Sequence, residues 1–396
     1  MRESRFGRLP PYPFPRLRAL LGTSAPGAPP IDLSLGEPRH PFPAFVNAVL
    51  ARTADGYGRY PPMEGTAELR EAIAHWLTRR YRLPEGLIDP ARHVLALNGT
   101  REGLFNAALA VVPEKKAGAR PAVLIPNPFY QCYAGAALAA GAEPVFVPAI
   151  RTRNFLPDFA GLPSDLLART AALYLCSPAN PQGTAANLDH WRALVRLART
   201  HNFVILADEC YAEIYDRAAP PGALEAASAE GGLANVLAFH SLSKRSNLPG
   251  LRSGFCAGDE TLIGRFLALR HYGGAANPLP AQAAAAACWR DEAHVEENRA
   301  RYRRKFDLAE RVLGNKGGFY RPDGGFYLWL EVGDGESFTK TLWSAEGVRV
   351  LPGRYLGHDA VAGEKASNPG TPYVRVALVG EESETETALR RIARCL

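Results

Sequence analysis

Apolar and polar positions divide the chain into three stretches. Residues 1–30 carry Pro and Gly too often for a long element and predict an irregular arm broken by one short helix around residues 14–21. A short apolar segment at 31–35 stops at Gly36-Glu37-Pro38, and residues 43–53 read as helical. Within 68–80, Leu69, Ile73, Trp76 and Leu77 recur at helical spacing, the mark of an amphipathic helix.

From residue 94 the rhythm changes. Apolar runs of strand length stand at 94–97, 122–125, 143–147, 171–175, 203–207 and 236–241, with helical stretches between them, among them 102–112 and 188–199. Such runs alternating with helices predict an α/β fold whose mostly parallel sheet is sandwiched by helices. In such sheets, ligands bind beyond the carboxyl ends of the strands. After residue 280 come a long charged helix at 291–313 and two further strands, at 324–330 and 373–379. These predict a smaller α+β domain, which the segment near Ile31 joins. The expected organisation is an N-terminal arm with part of the small domain over 1–50, a large domain over 51–280 and a small domain over 281–396.

Composition narrows the class. A chain of 396 residues exceeds one ordinary core, and 47% hydrophobic with 22% charged residues suits a soluble enzyme. The net charge of +6 arises from 46 cations against 40 anions without a long basic run, and the densest cluster, 299–305, reads as the solvated face of a helix. No nucleic-acid partner is expected. The cysteines Cys132, Cys176, Cys210, Cys256, Cys288 and Cys395 are scattered, without zinc spacing, and read as reduced thiols; no metal is expected. Arg2, Arg5 and Arg8 run into Pro10-Pro11-Tyr12-Pro13 rather than into an apolar stretch, unlike a secretion signal. No apolar segment has membrane-spanning length. The expected location is cytoplasmic.

The chemistry concentrates at the predicted strand ends. Lysine is scarce, with seven in all, and six of them fall in predicted loops or charged helices where solvation accounts for them. Lys244 differs. It follows a strand and two hydroxyls, Ser241 and Ser243, and precedes Gly250, Arg252 and Gly254. A lysine that forms a Schiff base needs a neutral amine, hence partial burial, and hydroxyls with an arginine can hold a phosphate dianion. Asn180-Pro181-Gln182-Gly183 follows one strand and Asp208-Glu209-Cys210-Tyr211 another. From Asn180 to Asp208 is 28 positions, and from Asp208 to Lys244 is 36. Singly these are common turns, and Asp208 alone reads as a helix cap.

Together, in this order and at these gaps, they resemble the fold-type I pyridoxal-phosphate aminotransferases, the aspartate aminotransferase superfamily, over nearly the whole chain. The resemblance implies pyridoxal 5'-phosphate as cofactor, with Lys244 carrying it and serving as general base. Asp208 would pair with the pyridine nitrogen, and Asn180 and Tyr211 would bond the phenolic oxygen. Gly99, Thr100 and Arg101 at a strand-to-helix turn would hold the phosphate with Ser241, Ser243 and Arg252. Tyr130 would stack on the ring, with Tyr133 or Phe129 as the residues it could be confused with. Tyr60 would reach the phosphate of a neighbouring subunit in a homodimer with shared sites. Arg375, with the backbone of Gly36 and Asn180, would hold the substrate α-carboxylate.

The segments Pro11–Arg18 and Ile31–Pro38, with Tyr57–Pro62, Leu97–Gly103 and Asn127–Gln131, resemble more narrowly the N-succinyldiaminopimelate aminotransferases of lysine synthesis. That likeness implies transfer from N-succinyl-LL-2,6-diaminopimelate to 2-oxoglutarate. Arg39, Asn98 and Arg101 are candidates for the side-chain end of that substrate. An aspartate or aromatic aminotransferase and a carbon–sulfur lyase would share the same catalytic residues. The ligand-sensing module of a transcription regulator would need a DNA-binding region, and about thirty residues before Ile31 are too few for one.

Overall fold

The computed structural model describes residues 5–359 and 367–396; Arg2 and Lys365 lie outside them. Seven strands form the central sheet: β1 (Val94–Leu97), β2 (Ala122–Asn127), β3 (Glu143–Pro148), β4 (Thr170–Cys176), β5 (Val204–Asp208), β6 (Val236–Ser241) and β7 (Gly254–Gly258). Their order is β1-β7-β6-β5-β4-β2-β3, and every pair is parallel except the two that β7 makes. Alternation sorts side chains to two faces: Leu124, Leu173 and Ile205 enter one core, Val123, Tyr174 and Leu206 the other. Helices cover both faces, which is why these strands read as unbroken apolar runs.

The chain ends of β1, β4, β5 and β6 share one edge of the sheet. The apolar pattern alone does not isolate β7, a short Gly-bounded run. Running antiparallel, β7 starts where its neighbours end, so Arg252, two residues before it, arrives at that same edge.

A second unit holds an antiparallel sheet of Leu351–Pro352, Tyr373–Ala377 and Tyr327–Glu331, with helices Ala293–Leu313, Gly335–Glu346 and Glu382–Cys395. Ile31 pairs with Val348 in parallel, which ties the N-terminal segment to this unit. Helix Leu279–Arg290, which the expected boundary at 280 puts mostly in the small domain, packs instead on helix Ala67–Tyr81 and buries Ala284, Ala285 and Trp289 in the large core. Its alanine-rich face permits that close approach.

The basic cluster at 299–305 is only in part a solvated face. Arg299 is buried and bonds Glu213, Arg303 donates to Asp216 O, and Lys305 is 2% exposed. Helix Ala293–Leu313 lies against the loop after β5 on one side and the small unit on the other, so Arg299, Arg303 and Lys305 meet fixed acceptors, while Arg301 and Arg304 pair with glutamates at the surface. Lys116 likewise donates to the carbonyls of Thr170, His201 and Asn202 rather than to water alone.

Candidate active site

A cleft of about 450 Å³ opens at the carboxyl edge of the sheet. Its walls include Thr100, Arg101, Tyr130, Asn180, Asp208, Tyr211, Ser241, Ser243, Lys244, Arg252, Gly36 and Arg375. Every residue predicted to hold the cofactor or the α-carboxylate, except Gly99 and Tyr60, therefore lines one cavity; Arg39, which bonds Glu384 and Asp32 O, and Asn98, which donates to Ala275 O, do not line it.

Each arrives for a local reason. Strand β6 ends at Ser241, whose side chain caps the short helix Leu242–Arg245 by accepting from Ser243 N–H at 3.1 Å. That turn presents Lys244 one residue past Ser243. Strand β1 ends at the tight turn of Gly99 (φ +82°), and helix Thr100–Val111 begins there with its free N–H groups facing the cleft. A Cβ on Gly99 would lie 2.4 Å from Arg252 Nη2, so Gly99 sits behind the arginine at the rim. Arg252 is fixed by donating to Pro249 O and Asn98 O, at 2.9 and 3.2 Å. Helix start, two serine hydroxyls and guanidinium thus make one anion-binding end of the cleft.

Asp208 closes the floor. It is 5% exposed, accepts from Tyr133 Oη at 2.6 Å and from Cys210 N–H at 3.3 Å, and burial raises its pKa. Glu209 points the other way, accepting from Tyr81 Oη at 2.5 Å. A buried carboxylate with its pKa already raised gains from a cationic N–H placed against it. Lys244 Nζ donates to Gly36 O at 2.6 Å, and burial lowers its pKa to about 8. Much of its amine is neutral near that pH, as nucleophile and base chemistry require.

At the opposite end, Arg375 is 4% exposed rather than facing solvent. It donates to Asn180 Oδ1 at 3.0 Å and Ser34 O at 2.8 Å, and its Nε is buried with no partner. Tyr327 lies under the guanidinium, 4.3 Å from ring centre to Cζ, and its hydroxyl meets Tyr211 Oη at 3.1 Å. Gly36 is needed there, since a Cβ would strike Tyr327 Oη. Tyr130 stands over the cleft and bonds Arg101.

Tyr133, Tyr327 and Cys210 are site residues that the sequence does not announce as such. Tyr133 follows Tyr130 by one helical turn, a spacing that could have linked them; for Tyr327 the signal is only the glycine pair before it. Tyr60 is fully exposed and does not line this chain's cleft. Among the described residues no cluster suits a metal ion, and no helix is long and apolar enough to cross a membrane.

The residues fit a flat heteroaromatic phosphate: an anion seat at one end, a buried carboxylate at the floor and an amine between them. The family described as aminotransferase class I and II matches residues 28–392. An LL-diaminopimelate aminotransferase from Dehalococcoides mccartyi is 31% identical over 99% of this chain and 98% of its own length. A crystal structure of an aminotransferase from Neisseria meningitidis superposes with a TM-score of 0.92 at 40% identity, covering 99% of each chain. A probable N-succinyldiaminopimelate aminotransferase from Thermus thermophilus gives 0.84 at 25% identity, over 97% of this chain and 100% of the other. With fold, cleft and likeness in agreement over nearly its whole length, the chain belongs to the class I and II aminotransferases, fold-type I enzymes that use pyridoxal phosphate.

Proposed function

We propose that the enzyme moves the amino group of N-succinyl-LL-2,6-diaminopimelate to 2-oxoglutarate, in diaminopimelate and lysine synthesis, with Lys244 as the cofactor-bearing lysine and the base. The observation that carries the catalytic part is the half-buried Lys244 amine, with its pKa lowered to about 8, in one cleft with Asp208 and Arg375. Bound there, the pyridoxal ring supplies a sink for the electron pair left when the substrate loses its α-proton.

The chain's residues do the rest. Thr100, Ser241, Ser243, Arg252 and the N–H groups of the helix start hold the phosphate, with Gly99 shaping the turn. Asp208 keeps the pyridine nitrogen protonated, and Tyr133 keeps Asp208 in place. Asn180 and Tyr211 bond the phenolic oxygen, and Tyr130 covers the ring. Arg375 and the backbone of Gly36 grip the α-carboxylate, which fixes the direction of the α-C–H bond. With the cofactor bound, Lys244 Nζ would accept the substrate's α-proton and hold it for return. Tyr60, fully exposed on its own chain, reaches the phosphate of a second copy, which makes the enzyme a homodimer. The location is the cytoplasm.

A second reading has its own support. Several relatives at about 30% identity are named LL-diaminopimelate aminotransferases, so the unsuccinylated substrate is the direct competitor. Glutamate formation from 2-oxoglutarate is measured with each donor, and with aspartate and aromatic amino acids beside them. A kcat/KM highest for the succinylated donor supports the proposal. A preference for LL-diaminopimelate, aspartate or aromatic donors replaces it, and thiol release without glutamate marks a carbon–sulfur lyase.

A further inference from the structure

Helix Leu242–Arg245 is only four residues long, so its last carbonyls lack partners within it. Leu248 N–H turns back to Leu242 O rather than to Lys244 O. The missing donors come from another element: Asn298 Nδ2 donates to Lys244 O at 3.2 Å and Arg245 O at 3.4 Å. The carboxamide has no choice of orientation, because carbonyl oxygens only accept.

Behind Asn298 stands a chain of groups whose roles are fixed one by one. Lys305 Nζ donates to Leu378 O at 3.0 Å, to Gly380 O and to His40 Nε2 at 2.7 Å, using all three ammonium donors. His40 Nε2 is therefore an acceptor and its proton sits on Nδ1, which donates to Asn298 Oδ1 at 3.1 Å. Burial and then Lys305 lower the His40 pKa to about 4, which keeps the ring neutral. Asn247 Nδ2 adds a second donor to Asn298 Oδ1 at 3.1 Å. His40, Asn298 and Lys305 are all nearly fully buried. A further brace stands one turn earlier, where Ser246 bonds His294 and His294 bonds Asp291; Ser246 is closed to solvent, so this trio holds the loop rather than attacking a substrate.

We propose that Asn298, oriented by His40 and Lys305, is a positioning residue that fixes the backbone of Lys244 and so the placement of its amine. The proposal rests on the reading of Lys244 as the cofactor-bearing base. It ties that base to the end of strand Tyr373–Ala377 in the small unit, since Lys305 binds carbonyls just past that strand.

The test replaces Asn298 by Asp, which keeps the shape but removes the donors. The holoenzyme of Asn298→Asp loses about ten-fold in kcat near pH 8, with KM within two-fold of wild type. Lowering the pH restores part of the loss, because a protonated carboxyl regains one donor. The groups around that position are His40, Lys305 and Arg301, with Glu381, Glu382 and Glu384 beyond them and the backbone of Lys244 and Arg245 in front. Asn298→Ala shows the same loss without recovery at low pH. In both variants the pH midpoint of the bound cofactor's absorption band departs from the wild-type value. Wild-type kcat and midpoint in Asn298→Asp across the pH range overturn the proposal. Should that variant not fold, Lys305→Met, at a residue that does not line the cleft, decides the matter in its place: a ten-fold loss in kcat with a displaced midpoint supports the proposal, and an unchanged kcat and midpoint overturn it. Borohydride reduction of wild type separates the two ideas. Label on Lys244 with unaffected variants rejects the positioning role alone, and no label on Lys244 rejects the reading beneath it.

Discussion

Among the described residues, burial lowers three lysines to about pKa 8, the half-buried Lys116 and Lys244 and the fully buried Lys305, and the last two differ most in their surroundings. Lys244 makes one hydrogen bond, to Gly36 O, and faces a cleft. Lys305 directs all three donors to His40 and two carbonyls and does not line that cleft. Burial alone therefore does not mark a reactive amine. What distinguishes it is donor capacity left free beside a space that a ligand can enter. A depressed lysine pKa is a functional signal only when read with that geometry.

The largest effect should separate the two sites outright. Lys244→Ala loses amino transfer by about a thousand-fold or more, the scale of a missing general base, in a steady-state assay of glutamate formation. Next comes Arg375→Ala. Removing a bidentate, charge-assisted grip raises KM for the amino donor about a hundred-fold, and a KM near wild type would place the α-carboxylate elsewhere.

Lys305→Met is milder on activity, about ten-fold through Asn298, but carries a signature in stability. In the unfolded chain Lys305 binds its proton up to its ordinary pKa of 10.5, and in the folded chain only to about 8. Between those values the unfolded state holds more protons, so stability rises with pH there and is level below 8. The variant loses that contribution. Denaturation of cofactor-free protein should thus show wild type gaining on Lys305→Met from pH 8 to 10; parallel curves would mean Lys305 is not held as described. The smallest effect is Tyr60→Phe. One hydroxyl across a subunit boundary weakens cofactor retention about five-fold, read by dialysis. An active monomer at low concentration would remove Tyr60 from the site.

The same contrast explains what is legible in the sequence. Strands β1 to β6 are visible because each is apolar on both faces, and the residues after them carry chemistry in loops where solvation would otherwise suffice. Asn180, Asp208 and Lys244 are readable through their gaps. Strand β7 is hidden because glycines bound its short run. Lys305 and Arg299 read as solvated because their acceptors, Leu378 O, Gly380 O and Glu213, come from distant parts of the chain. No local pattern records a carbonyl supplied from 70 residues or more away. Tyr133 stands out only as a rival to Tyr130; its partner, Asp208, is likewise remote in sequence.

The most direct experiment is to load the enzyme with pyridoxal phosphate, reduce it with borohydride and map the labelled peptide by mass spectrometry. One phosphopyridoxyl group is expected, on Lys244, with Lys305 and Lys116 unmodified. Label on either of those lysines in place of Lys244, or none at all, would contradict the role given to Lys244.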